Sequence, residues 1–157
     1  MGFLPDHAGY WIGTNQLQLM PGDSPHVADA TSQVSTAAAG TLTTIAYTWE
    51  HPEDGVQDGL LVVGRKDEAP GALTFWGDSW HQQPEPVVLL GALEDGLLVV
   101  SYAYGGDWRW EIVVDATDPQ VMALRMNNIV PESAATEAIG AGAYAAMVAE
   151  LRRAPSE

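Results

Sequence analysis

The fold is decided by "LTFWGDSWHQQPEP", residues 73–86. Trp76, Asp78 and Trp80 alternate, and His81 follows directly. Along a strand successive side chains point to opposite faces, so these three share one face. A face carrying two indoles is seldom left in water, which puts the carboxylate of Asp78 on a buried surface. Trp80 and the "QQPEP" run mark the place where the strand ends.

The same alternation recurs on both sides of this stretch. Short segments near 9–19, 30–39, 41–50, 57–64, 72–80, 86–93, 97–105, 108–115 and 121–129 read as strands. Turn chemistry separates them: "MPGDSP", "HPEDG", "KDEAPG", "EDG", "GGD" and "DATDP". Connections this short favour antiparallel pairing of neighbours, and no strand–helix–strand pattern occurs. Many short strands at such spacing predict an all-β sandwich or closed barrel. The segment 134–153, "AATEAIGAGAYAAMVAELRR", stays open. The spacing of Tyr144, Met147, Val148 and Leu151 suits a helix, whereas Gly140 and Gly142 argue against one long helix and leave room for a last strand from about 143 to 152.

Parity then sorts the strand faces. Trp11, Asn15, Leu17 and Leu19 share a face, as do Ile45, Tyr47 and Trp49; Leu98, Val100, Tyr102 and Tyr104; Trp108, Trp110, Ile112 and Val114; and Met122, Leu124, Met126 and Asn128. All six tryptophans fall on the more apolar faces. The predicted interior is lined by Trp11, Tyr47, Trp49, Trp76, Trp80, Tyr102, Tyr104, Trp108 and Trp110, with Met126 beside them and Asn15, Asp78 and Asn128 as polar members. One reading is a wide aromatic core whose polar groups satisfy indole and phenol hydrogens. The other is an incompletely filled barrel holding an apolar ligand. Six indoles are hard to pack to full density in one small domain, which favours the second.

The bulk properties narrow the function. The chain has 157 residues, enough for one domain, with 6 Lys and Arg against 21 Asp and Glu and a net charge of −15. That charge opposes nucleic acid and anionic membrane surfaces. There is no cysteine, so disulfides and thiolate chemistry are excluded. The start, "MGFLPDHAGYW", lacks the basic-then-apolar pattern of a signal peptide, and no apolar run reaches the roughly 18 residues of a membrane span, so a cytoplasmic protein is expected.

Taken together, "GYWIGTNQLQLMP", "YTW", "QDGLLVVG", "WGDSWH", "GDWRWEIVVD" and "MNNIVP" resemble the DUF1579 family. That family is similar to the calycin group of lipocalins, fatty-acid-binding proteins and nitrobindins. The resemblance covers roughly residues 3 to 153 and implies an antiparallel up-and-down barrel of eight to ten strands with an internal cavity. It also implies that 134–153 supplies a closing strand. It carries no established activity. Nitrobindins hold haem through a histidine in a late strand, but here the histidines are His7, His26, His51 and His81 and none lies later, so no haem is expected.

The chemical candidates centre on Asp78 and His81. Three residues apart, they point to opposite faces of a strand unless it bulges or ends there. Paired at a barrel mouth, they would do acid–base work; otherwise they form a hydrogen bond that closes the strand. Asp78 among indoles without a partner has its ionised form disfavoured, whereas bonded to Trp, Tyr or Asn15 it stays ionised as an anchor. Asp78, His81 and Glu85 match no metal motif, and no cofactor is expected. The preferred reading is a small-molecule binding protein with tryptophan and tyrosine walls and Asp78, Asn15 and Asn128 as polar contacts. An alternative is a cyclase or isomerase using Asp78 and His81 as acid and base. A further alternative is a homodimeric interaction module, since "GLLVVG" and "PVVLLG" leave Leu60, Val62, Val87 and Leu89, or their neighbours, facing outward.

Overall fold

The structure is a computed structural model that describes residues 4–66 and 68–155. The first three residues of the "MGFLPDHAGYW" segment and Asp67 of the "KDEAPG" turn lie outside the described residues. Ten strands follow in order: β1 Gly9–Leu17, β2 His26–Ala37, β3 Leu42–His51, β4 Gly55–Arg65, β5 Gly71–Asp78, β6 Gln82–Glu94, β7 Leu97–Gly105, β8 Trp108–Asp118, β9 Val121–Val130 and β10 Gly142–Arg153. Each pairs antiparallel with its neighbour in sequence, and β10 pairs with β1 to close the barrel. Closure gives every strand two partners, which an open sheet denies to its edges. Among the described residues no helix is long and apolar enough to cross a membrane.

The C-terminal segment is a strand, and its helical alternative is corrected. Met147, Ala149 and Leu151 point inward and Glu150 outward, after a bulge between Ala145 and Met147. Two exposed edges, on β1 and β9, offer β10 a full set of backbone partners, and that outweighs the propensity of its alanines. The strand, Gly142–Arg153, lies within one residue of the 143–152 read for it at each end, and the earlier part of the 134–153 segment stays outside it, following a 3-10 turn at Glu132–Ala134. Elsewhere, β2 starts at His26 rather than near residue 30, and β5 stops at Asp78, which leaves Trp80 in a turn.

Inward positions fill the barrel with Leu61, Leu89, Leu98, Ile112, Met122 and Met126, all fully buried. One end is plugged. Leu4 and a 3-10 turn, Pro5–His7, precede β1 and fold under the barrel. His7 stacks on Trp11 with ring centres 5.3 Å apart. Trp11 Nε1 donates to the His7 carbonyl at 2.9 Å, and His7 Nε2 bonds the Asp118 carbonyl at 3.0 Å. The guanidinium of Arg153 lies over the Trp11 ring and donates to the carbonyls of Asp6 and Ala8.

The opposite end is split. β6 pairs with β7 only where Leu90–Glu94 face Leu97–Ser101. Among the described residues, Gln82 and Val87–Leu89 of β6 pair with β5 alone, with Gln83–Pro86 bulged out of the ladder between them, and Tyr102, Ala103 and Gly105 of β7 pair with β8 alone. The two strands therefore diverge toward this end and leave an opening in the wall.

Candidate functional site

The split end is built around Asp78. Tyr47 on β3, Gly59 on β4 and Asp78 on β5 lie in one cross-strand row. A Cβ on Gly59 would sit 2.3 Å from the Tyr47 phenol, so only glycine lets that ring lie across β4 to reach β5. The Tyr47 hydroxyl donates to Asp78 Oδ2 at 2.6 Å, and Trp49 Nε1 donates to the same oxygen at 3.1 Å. Backbone N–H groups of Trp80 and His81 each donate to Oδ1 at 2.8 Å. Trp76 Nε1 in turn donates to the Tyr47 hydroxyl at 2.9 Å. Each oxygen of the carboxylate thus accepts two hydrogen bonds, and Asp78 is only 4% exposed. Burial pushes the Tyr47 phenol well above its ordinary pKa, and the charge of Asp78 adds to the effect.

Asp78 therefore holds the β5–β6 turn, and the turn aims two rings. His81 stacks on Trp49 with centres 4.8 Å apart, and lies 5.3 Å from Trp110. Trp80 folds back over His51 at 4.7 Å and donates its indole N–H to Asp54 at 2.8 Å. The Asp78 and His81 side chains share no hydrogen bond; the carboxylate bonds the His81 backbone instead. Burial lowers the His81 imidazole to about 4, with the opposing pull of Asp78 smaller and the nearby His51 adding to the fall. His81 is neutral at physiological pH.

Trp76, His81, Gln82, Tyr102, Tyr104 and Trp110 line a pocket of about 280 Å³ where β6 and β7 diverge. Side chains bridge this opening: the Tyr102 hydroxyl donates to Gln82 Oε1 at 2.5 Å, and Gln82 Nε2 donates to the Glu85 carbonyl at 2.8 Å. The Tyr104 hydroxyl donates to Asn128 Oδ1 at 2.7 Å, and Asn128 Nδ2 donates to Tyr144 at 3.0 Å. Partial burial raises the pKa of both Tyr102 and Tyr104, so their phenols are uncharged. Among the described residues five buried side-chain atoms lack a partner: Asn15 Oδ1, His26 Nε2 and Thr74 Oγ1 away from the pocket, and His81 Nε2 and Trp110 Nε1 on residues that line it.

Sequence reasoning named five of the six lining residues, four as ligand wall and His81 as a catalytic candidate. Its other candidates are dispersed. Tyr47 and Trp49 lie beneath Asp78, and Trp80 covers His51. Asn128 braces Tyr104, and Trp108 packs near it at the rim. Asn15 and Met126 sit in the barrel core, and Trp11 belongs to the plugged end. Gln82 and Gly59 were missed. Gly59 carries a legible signal, a glycine in the interior of a strand. Gln82 carries none, because its role depends on where β7 passes.

Among the described residues no group of three His, Asp or Glu side chains is placed to hold a metal ion. No protein-family model matches the chain, and no curated protein is significantly similar to it.

Proposed function

We propose that this barrel binds a small aromatic or apolar molecule in the pocket between β6 and β7. The observation that carries the reading is the pair of buried atoms, His81 Nε2 and Trp110 Nε1, left without partners in an otherwise aromatic wall. Each such atom costs about 1–3 kcal/mol while it stays unpaired, and a guest that bonds it recovers that cost. The volume lies at the lower edge of the roughly 300–1,000 Å³ of small-molecule sites. Pro84 and Pro86 on the unpaired part of β6 lack an N–H, which blunts that edge against an added peptide strand and leaves the opening to small molecules. The resemblance to the DUF1579 family implies a barrel with an internal cavity and adds no activity of its own; the cytoplasmic location proposed for the protein rests on the lack of a signal-peptide pattern in "MGFLPDHAGYW". Acid–base catalysis by Asp78 and His81 has less support, because four donors occupy the carboxylate and the imidazole is not bonded to it.

The uncharged, apolar fluorophore N-phenyl-1-naphthylamine tests the site. It should bind at about one site per chain and quench tryptophan emission, because two of the six tryptophans line the pocket. Absence of saturable binding, or binding that leaves tryptophan emission unchanged, overturns the reading.

A second property rests on a separate observation. Leu60 and Val62 on β4, Leu73 and Phe75 on β5, and Val88 and Leu90 on β6 face outward in adjacent rows. On β6 the outward pair is Val88 and Leu90, whereas Leu89 is fully buried and Val87 packs on the core. We infer that this face meets a second copy of the chain. In a molecule of net charge −15 it is a patch without charge, where two copies approach with least repulsion. Sedimentation should show a dimer that tightens with salt; a monomer at high salt and high concentration overturns this.

A further inference from the structure

The inventory of free hydrogen-bonding groups in the pocket limits what its guest looks like. The Tyr102 hydroxyl has spent its proton on Gln82, and the Tyr104 hydroxyl its proton on Asn128. Gln82 accepts from Tyr102 with its oxygen and donates to the Glu85 carbonyl with its nitrogen. Trp76 Nε1 is committed to Tyr47. Apart from the second amide hydrogen of Gln82 and the acceptor lone pairs of the two phenols, what remains is the indole N–H of Trp110, which is a donor only, and Nε2 of the His81 ring. None of the six lining side chains is a Lys, Arg, Asp or Glu.

We propose that the ligand is an uncharged, flat aromatic molecule bearing one hydrogen-bond acceptor, a carbonyl or ether oxygen or a ring nitrogen, which Trp110 Nε1 engages. This deepens the small-molecule reading and rests on the pocket being a ligand site. Three features select the class. The wall is made of rings, which favour a flat guest through offset and edge-on contacts. Trp110 can only donate, so an acceptor satisfies it and a hydrocarbon does not. The wall has no counter-ion, so a charged guest loses hydration worth several kcal/mol per ion without a partner. For an anion the loss is compounded by the net charge of −15. For a cation, ring contacts return about 2 kcal/mol or somewhat more when desolvated, less than the penalty. Trp110 is placed for this role by its cross-strand neighbours, Tyr102 on one side and Asn128 on the other, which hold the indole at the mouth. Neither free atom touches solvent, so a guest reaches the Trp110 N–H only by displacing the rings that cover it.

The test compares four probes of one size on the intact chain: 2-methylnaphthalene, 2-acetylnaphthalene, 2-naphthoate and a trimethylammonium-substituted naphthalene. The acetyl compound should bind about tenfold tighter than the methyl compound, as one recovered hydrogen bond to a buried donor implies. Both ions should bind more weakly than either. In Trp110→Phe, which keeps a ring and removes the N–H, the acetyl preference should fall below about threefold. The wild-type ranking stands without the variant should Trp110→Phe not fold. Equal binding of the two uncharged probes, or tightest binding of an ion, overturns the class while leaving the ligand site in place. Failure of all four to bind removes the site itself.

Discussion

The two ends of the barrel are made of the same side chains and treat them differently. Each end sets a tryptophan against a histidine. At the plugged end Trp11 and His7 stack, and each finds a backbone carbonyl for its ring nitrogen. At the split end Trp110 and His81 lie as close, yet each keeps a buried nitrogen unpaired. The difference lies in what the backbone supplies. The residues ahead of β1 fold under the barrel and bring carbonyls to the rings. At the other end β6 and β7 diverge, and no chain passes where the rings need partners. Polar groups of this kind are normally satisfied in native structures. Two of the five unpaired buried side-chain atoms among the described residues belong to this one pocket, against full pairing of the Trp11–His7 pair, and that contrast is the basis for proposing the split end as the binding end.

The largest effects should come from the hub beneath the pocket. Asp78→Leu strips four donors of their acceptor and should cost about 4 kcal/mol or more in chemical denaturation. Asp78→Asn keeps the shape but sets an NH₂ against two N–H or O–H donors, and should cost about 3 kcal/mol. The sequence alone suggested a ligand anchor, for which Asp78→Asn would be benign to stability; a loss below about 0.5 kcal/mol would restore that role.

Next is Gly59→Ala, which drives a methyl group into the Tyr47 ring and should cost about 1–3 kcal/mol. The ring is held by Asp78 and Trp76, so it has nowhere to retreat. A neutral outcome would mean that Tyr47 moves freely, and the row joining β3, β4 and β5 would not be the rigid support described.

A third effect is set by pH. His81 titrates at about 4 in the folded protein and at 6.5 when unfolded. Between these values the unfolded chain binds a proton that the folded chain does not, so stability falls as pH drops below about 6.5 and levels off below about 4. At 1.36 kcal/mol per pH unit, the gap is worth about 3 kcal/mol in all. His81→Phe should remove this slope and leave stability at pH 7 within about 1 kcal/mol of the parent. An unchanged acid slope in that variant would mean that His81 is hydrated and the pocket wall is open.

Much of this architecture was legible in the sequence because period-two patterning is a local signal. The parity of Trp11, Tyr47, Trp49 and Trp76 follows from their own strands, and the structure buries all four. The turn strings placed most strand ends. Other features were not legible because they depend on neighbours distant in sequence. The helical spacing of 134–153 is real, but β1 and β9 impose a strand on it. Parity marks Trp11 and Trp110 alike as inward; only the closure of the barrel reveals that they lie at opposite ends. The opening between β6 and β7 is a matter of register, which no run of residues in either strand announces. "WGDSWH" lies at the split end, where its carboxylate turns inward to four donors and its histidine lines the pocket.

Indole N–H resonances test the contrast between the ends most directly. The six tryptophans give six such signals in a ¹H–¹⁵N spectrum. On titration with 2-acetylnaphthalene, the Trp110 signal should shift strongly as its N–H gains an acceptor, while the Trp11 signal, already bonded to the His7 carbonyl, should stay in place. A saturated complex in which Trp110 does not move, or in which Trp11 moves as far, would contradict the assignment of the split end as the binding end.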